Sequence, residues 1–199
     1  MRTLSGLVKA PGALVSDYVS GKRRAYVNPA RFCLLSLALW LLFARVLDVD
    51  LMKSLGINVT DKSEGGTSET SERIKEIIRS NLDLFLYLTL PIQALLFKLF
   101  FRKSGRNIAE ALVLVLYIAG FGYLIGLVLT PLSIVGPSWV IRLRTVLALI
   151  WSIRAARTFY ERAWFATIWR VLAVTALHVL ALIITFVGVA VPWVVLVEG

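Results

Sequence analysis

Long apolar runs, separated by short and mostly basic connections, set the pattern of this chain. The runs begin near residues 28, 82, 108, 139 and 168. They lack the strict alternation of barrel strands, so helices are the expected spanning elements; a helix satisfies its own backbone groups where no water can. One helix needs about 20 apolar residues to cross a bilayer. The spans expected on this basis are residues 28–48, 82–101, 108–130, 139–157 and 168–196. The pattern predicts an all-α fold, a polytopic transmembrane helical bundle of about five spans over residues 28–199. Residues 1–27 form a separate amphipathic amino-terminal segment on the cytoplasmic side.

Local signals refine these boundaries. In residues 3–20, Leu7, Leu14, Val15 and Tyr18 can share a helical face, Pro11 suits a first turn and Gly21 suits the position just past the end. The expectation is a short interfacial helix on the membrane surface; the alternative is a packed or frayed terminus. Asn28-Pro29 reads as an N-cap followed by a proline at the first helical position. Pro91 falls inside the second span and should kink it. Gly122 and Gly126 stand four apart in the third span, a spacing that lets another helix approach closely. The fourth span carries Arg142 and Arg144 in its first turns and Arg154 and Arg157 in its last, so it crosses by snorkelling at both ends or re-enters. The long connection over residues 48–81 is acidic and rich in Gly, Ser and Thr, as expected of a flexible external loop, and Ser71 is placed to cap a helix leading into the second span.

Composition agrees with the pattern. Of the 199 residues, 58% are hydrophobic and the mean hydropathy is +0.79, against about 45–50% apolar in soluble domains. The net charge of +10 would point to nucleic acid in a soluble protein. Here the cations flank apolar runs, so membrane insertion and anionic lipid account for them and no nucleic-acid partner is expected. With the amino terminus inside, cytoplasmic segments hold fourteen of the 22 Lys and Arg and three of the 12 Asp and Glu. That bias orients the chain N-inside and C-outside, and it favours a fourth span that crosses. The expected compartment is a membrane, which the chain passes several times. No cleavable signal peptide is expected, since the first 27 residues are too polar for one. The single Cys33 and single His178 make neither a disulfide nor a metal site, and no cofactor is expected.

Two patches carry a family resemblance. "PGALVSDYVSGKRRAYVNPARF" holds a Pro-Gly pair, then Tyr-x-x-Gly-Lys-Arg, then Tyr-x-x-Pro; "LPIQALLFKLFFRKSGRNIAEALV" holds a Pro-containing span, a basic turn and an acidic residue opening the next helix. On these residues the chain resembles a family of bacterial membrane proteins with no established activity, the domain-of-unknown-function 3667 family. With the order of spans, the likeness covers most of the chain. It implies a fold and a compartment, the bacterial inner membrane, rather than a reaction. Many members carry an amino-terminal zinc ribbon with paired cysteines, which this chain lacks. Where the family often has Glu-His, this chain has Glu110-Ala111.

Candidate sites fall into two groups. Lys22, Arg23, Arg24, Tyr26, Arg31, Lys98, Arg102, Lys103 and Arg106 form a basic cytoplasmic set suited to anionic lipid headgroups. The order Gly-Lys-Arg-x-x-Tyr-x-x-Pro goes beyond what orientation alone requires. Gln93, Glu110, Tyr117 and His178 are the intramembrane polar set. For three of them a plain role competes: backbone repair near Pro91 for Gln93, a first-turn carboxylate paired with Arg102, Lys103 or Arg106 for Glu110, and a neutral imidazole bonded to a neighbouring helix for His178. The sequence offers no Ser-His-Asp set, phosphate-cradling loop or H-E-x-x-H, so an enzyme is the weaker class. The leading expectation is a structural or accessory protein holding anionic lipid, a membrane-protein partner or a second copy of itself. The other is a small oligomeric transporter or channel subunit with a polar path between helices.

Overall fold

The computed structural model describes residues 2–47, 49, 82–134 and 137–198, with side chains over 2–47, 49, 87–132 and 139–185. Apart from Val49, the loop expected over residues 48–81, with its cap at Ser71, lies outside the described residues. Among the described residues seven α-helices follow in order: α1 (Arg2–Lys9), α2 (Pro11–Val19), α3 (Pro29–Val46), α4 (Leu82–Phe100), α5 (Ile108–Leu129), α6 (Pro137–Tyr160) and α7 (Trp164–Glu198). Single 3-10 turns lie at Arg23–Ala25, Arg102–Ser104 and Thr130–Ile134. No strand occurs among the described residues.

The helix boundaries follow local chemistry. Asn28 caps α3: its Oδ1 accepts from the backbone N–H of Ala30 at 3.0 Å and of Arg31 at 3.4 Å, with Pro29 in the first helical position. Asn107 caps α5 through the N–H of Glu110, and Glu110 answers by accepting from the Asn107 N–H. These reciprocal bonds satisfy two otherwise orphan donors. Gly21, at φ 109°, and Gly105, at φ 75°, turn the chain where a side chain would be strained. Helix α4 runs through Pro91 without interruption.

Ring and glycine contacts fix the helix directions. Phe32 meets Tyr117 and Gly120, whereas Trp40 meets Tyr123 and Gly126, so α3 and α5 run parallel. Phe121 stacks on Trp151 at 4.4 Å between centroids and Arg106 lies over Phe159, so α6 runs antiparallel to α5. Phe100 meets Trp169, joining the end of α4 to the start of α7. The starts of α3, α5 and α7 and the ends of α4 and α6 therefore gather at one end, which carries the basic turns.

Close helix approach uses one of the expected pair, Gly126, but not Gly122. A Cβ on Gly122 would meet nothing within 4 Å. One on Gly120 would lie 2.7 Å from the Phe32 ring, and one on Gly126 would lie 3.0 Å from Trp40 Nε1. The tightest approach is Gly12, whose Cβ would fall 2.4 Å from the Ala155 carbonyl oxygen and 2.5 Å from Thr158 Cβ.

The amino-terminal segment is helical, as expected, but it is two helices broken at Ala10-Pro11. Their shared face is packed against protein: Leu7, Leu14 and Val15 are buried in the main core. The physical reason is a groove shaped for them. Gly12 lets α2 press on α6, and Trp151 Nε1 donates to the Leu7 carbonyl at 2.8 Å. Leu4 and Val8 remain on the exposed side.

By length and composition, three stretches among the described residues can cross a membrane: Arg23–Val46, Ile108–Leu132 and Trp164–Thr185. Within α4, Tyr87–Phe100 is a shorter apolar stretch. Helix α6 has 24 residues, length enough to cross, but its four arginines lower its apolar character. Large apolar side chains stand exposed along the outer faces, among them Leu35, Leu42, Leu99, Ile150, Leu180 and Ile184. Soluble monomers rarely expose so much apolar surface.

Candidate functional site: the basic end of the bundle

Residues 16–28 wrap around one carboxylate. Asp17 Oδ1 accepts from Lys22 Nζ at 2.8 Å, and Asp17 Oδ2 accepts from the Tyr26 hydroxyl at 3.0 Å. The Lys22 bond, then the Tyr26 bond, hold the Asp17 carboxyl below its ordinary value. The Asp17 bond raises both Lys22 and Tyr26. Lys22 and Tyr26, expected at headgroups, are both held by Asp17, whose spacing of five and nine residues from them is the signal that the sequence carries. Arg23 leans over the Tyr18 ring at 6.0 Å, while Arg24 and Arg31 are exposed.

Tyr117 fastens this segment to the bundle. It is buried on α5, donates to the Val27 carbonyl at 2.7 Å, and contacts the Tyr18 ring edge-on at 5.9 Å. The Val27 N–H donates to Thr3 Oγ1 at 2.9 Å, closing the loop back to α1. Tyr117 is thus a clamp on the amino-terminal segment.

The second half of the basic end is the turn between α4 and α5 with the facing turn between α6 and α7. Lys98 Nζ donates to the Arg106 carbonyl at 2.5 Å, and Arg162 Nη2 donates to the Lys103 carbonyl at 2.6 Å. Arg106 lies 4.6 Å over the Phe159 ring and 3.9 Å from Glu110 Oε2. Arg102 and Lys103 are exposed. Of the three cations near Glu110 in sequence, Arg106 is the one that pairs with it.

Between the two turns lies a cavity of about 290 Å³, lined by Ser104, Gly105 and Arg106 on one side, Glu110 at the start of α5, and Phe159, Tyr160 and Glu161 opposite. Phe101 stacks on Tyr160 at 4.2 Å and Phe97 at 6.3 Å, fixing the Tyr160 ring. The Tyr160 hydroxyl is buried with no hydrogen-bond partner among the described residues. Burial raises its pKa above the ordinary value. Glu161 adopts φ 50°, the left-handed conformation that disfavours side chains. Arg106 and Glu110 are expected from the sequence, whereas Tyr160 and Glu161 reach the cavity only through the antiparallel packing of α6.

The intramembrane polar set does not meet there. Of its four members Glu110 alone lines the cavity. Tyr117 is committed to Val27. Gln93 is half-buried two residues past Pro91 on α4. His178 is half-buried on α7, its Nδ1 buried without a partner among the described residues. No group of three or more His, Cys, Asp or Glu suited to a metal occurs among the described residues.

Among the described residues, fold and site together define an all-helical architecture with three helices long and apolar enough to cross a membrane and a polar, basic end. A family model described as a protein of unknown function, DUF3667, matches residues 1–41. The match covers α1, α2, the Asp17 knot and most of α3, so the expected resemblance holds on the first quoted patch. The second patch, around residues 90–113, lies beyond the matched residues. No curated protein and no solved structure matches the chain.

Proposed function

We propose that this chain is a structural or accessory protein of the bacterial inner membrane, crossing it about five times with its amino terminus inside, whose basic end holds anionic lipid headgroups. The observation that carries the reading is the convergence of cations from separate segments. Arg23, Arg24 and Arg31 stand exposed at the start of α3, and Arg102 and Lys103 stand exposed at the α4–α5 turn. Each contributes about 1 kcal/mol beside an anionic surface. Trp164 and Trp169 add support: both are exposed at this end on α7, with Arg157 4.2 Å over the Trp164 ring. Exposed tryptophans beside arginines suit the headgroup layer.

The geometry also divides the nine expected contacts by task. Lys22 and Tyr26 are engaged with Asp17, and Lys98 and Arg106 with their own turn. The remaining five, Arg23, Arg24, Arg31, Arg102 and Lys103, are the ones assigned to headgroups. Native mass spectrometry of the purified chain with phosphatidylglycerol and phosphatidylcholine tests this. Anionic lipid should be retained preferentially, and replacing the five by Gln should abolish the preference. Equal retention of the two lipids by the unaltered chain overturns the proposal.

A further inference from the structure

Exposed arginines stand at both ends of α3 and of α6. On α3 one exposed stripe reads Arg31, Leu34, Leu35, Ala38, Leu42, Arg45. Its two cations are fourteen residues apart, about 21 Å along the axis. On α6, exposed Arg142 and Arg154 are twelve residues apart, about 18 Å, and Leu143, Val146, Leu147 and Ile150 are exposed between them. Packing puts these cations in register. Phe32 and Trp151 meet α5 at Tyr117 and Phe121, about one turn apart, so Arg31 and Arg154 share a level toward the basic end. Arg144 lies 4.4 Å over the Trp40 ring, which brings Arg142 and Arg45 to within about a turn of each other at the other end. Helix α1 is held near the level of Arg31 and Arg154 by the Trp151 bond to the Leu7 carbonyl, and its Arg2, Ser5 and Lys9 are exposed.

The α7 side is taller. Its exposed apolar residues run from Trp164 to Ile184, twenty residues or about 30 Å, and Arg170 is the one Lys, Arg, Asp or Glu in that stretch. Phe101 stacks on Tyr160 at 4.2 Å, and Arg170 lies 5.4 Å over Phe101. Tyr160 is six residues past Arg154, so the apolar face of α7 reaches about 9 Å nearer the basic end than the arginine level of α3 and α6. Among the described residues α3 packs chiefly on α5, whereas α7 packs on α4 and α6, which keeps the α3 side apart from α7.

We propose that the α3–α6 side thins the bilayer beside it and takes lipids with short acyl chains. A typical hydrocarbon core is about 30 Å thick, so the α7 side matches it and the α3–α6 side falls about 10 Å short. Snorkelling makes up only part of that difference. Side chains on a helix lean toward its N-terminus. Arg31 and Arg142, near helix starts, therefore lean away from the apolar band, whereas Arg45 and Arg154, near helix ends, lean into it. Arg144 fits the same short belt. Its ring partner Trp40 is nine residues from Arg31, about 14 Å, which is the middle of a full-thickness core but near the far edge of the short one. A guanidinium at the middle of a full core is costly, and local thinning is one way a membrane accommodates it. The inference rests on the reading that α3 and α6 cross the membrane; it does not depend on which headgroups the basic end prefers.

The full chain, reconstituted in bilayers of one headgroup composition with equal parts of 14-carbon and 22-carbon acyl chains, tests the belt. A fluorophore is attached at Leu35→Cys or at Ile184→Cys, both exposed positions, in a chain carrying Cys33→Ala, and each lipid in turn is brominated as the quencher. Beside Leu35 the 14-carbon lipid should be enriched about tenfold over the 22-carbon lipid, because small costs per ångström add up over several ångströms of mismatch. Beside Ile184 the two should be near parity. Arg45→Leu with Arg154→Leu lengthens the band on both helices and should bring Leu35 to parity. Arg45→Lys with Arg154→Lys keeps the cations and should keep the enrichment, which separates loss of the belt from loss of fold. Equal quenching by the two lipids at Leu35 in the parent chain overturns the proposal. So does an enrichment that is as strong at Ile184, or one that survives the leucine pair. Quenching by neither lipid at Leu35, with quenching at Ile184, assigns this side to a second copy of the chain and also overturns the proposal. Quenching at neither position overturns the membrane reading itself.

Discussion

At Asp17 two donors meet on one exposed carboxylate, and the direction of each shift sets a pH window. Asp17 is held below its ordinary value of 3.8, so its contribution to folding is present above pH 3.8 and is lost as pH falls through the lower folded value. Lys22 is held above 10.5, so its contribution is present below that pH and is lost as pH rises through the higher folded value. Tyr26 is raised above 10.0 because its neutral hydroxyl is the donor, and its contribution also disappears in base. The difference in thermal stability between the parent chain and Asp17→Asn should therefore be constant between pH 3.8 and 10.0 and shrink outside it. A difference that stays the same at pH 3 and pH 11 counts against the knot. Solvent screening keeps the effect small. Asp17 illustrates what a sequence hides at this scale: cations before a span read as orientation signals, and the acid that organises them reads as an ordinary helix residue.

At the scale of elements, the junction of α2 with α6 is the sharpest test of packing. Gly12→Ala places a methyl 2.4 Å from the Ala155 carbonyl oxygen, where backbone must move. The expected loss is about 1–3 kcal/mol, the range for overpacking a filled contact. Gly122→Ala enters open space on α5 and should be neutral or stabilising by up to about 1 kcal/mol, since alanine favours a helix. Thermal unfolding in detergent compares the two; similar losses would refute the assigned packing. Both glycines are in apolar helices, and the four-residue spacing favoured the wrong neighbour of Gly126. Spacing along one helix does not say where the partner helix crosses. The caps were more legible: Asn28-Pro29 starts α3 as read, because capping depends on residues within three positions.

For the whole molecule, the directions of α3 to α7 place every basic turn at one end, and this makes orientation testable. Single cysteines at exposed positions 157 and 161, in a chain with Cys33 replaced by Ala, should react with impermeant thiol reagents only when the cytoplasmic side is opened. Labelling of intact cells at these positions would overturn the five-span, N-inside arrangement. The same packing explains why the intramembrane polar residues do not form one path in the described part of the structure. Tyr117 reaches Val27 and Glu110 reaches the cavity, because seven residues along α5 separate the two by about 10 Å.

The sequence by itself determined the helical class, the positions of the apolar helices, the Asn28 cap and the basic character of one end. Each of these depends on periodicity, length or neighbours within a turn, which are local properties. Only the tertiary structure decided that residues 2–27 pack as two helices on α5 and α6, that Gly12, Gly120 and Gly126 are the close contacts, and that Tyr160 and Glu161 share a cavity with Arg106 and Glu110. Those facts join residues up to about 150 positions apart, such as Leu7 and Trp151. Their pairing follows from which helix faces meet, and that is fixed by the fit of whole surfaces rather than by any one segment.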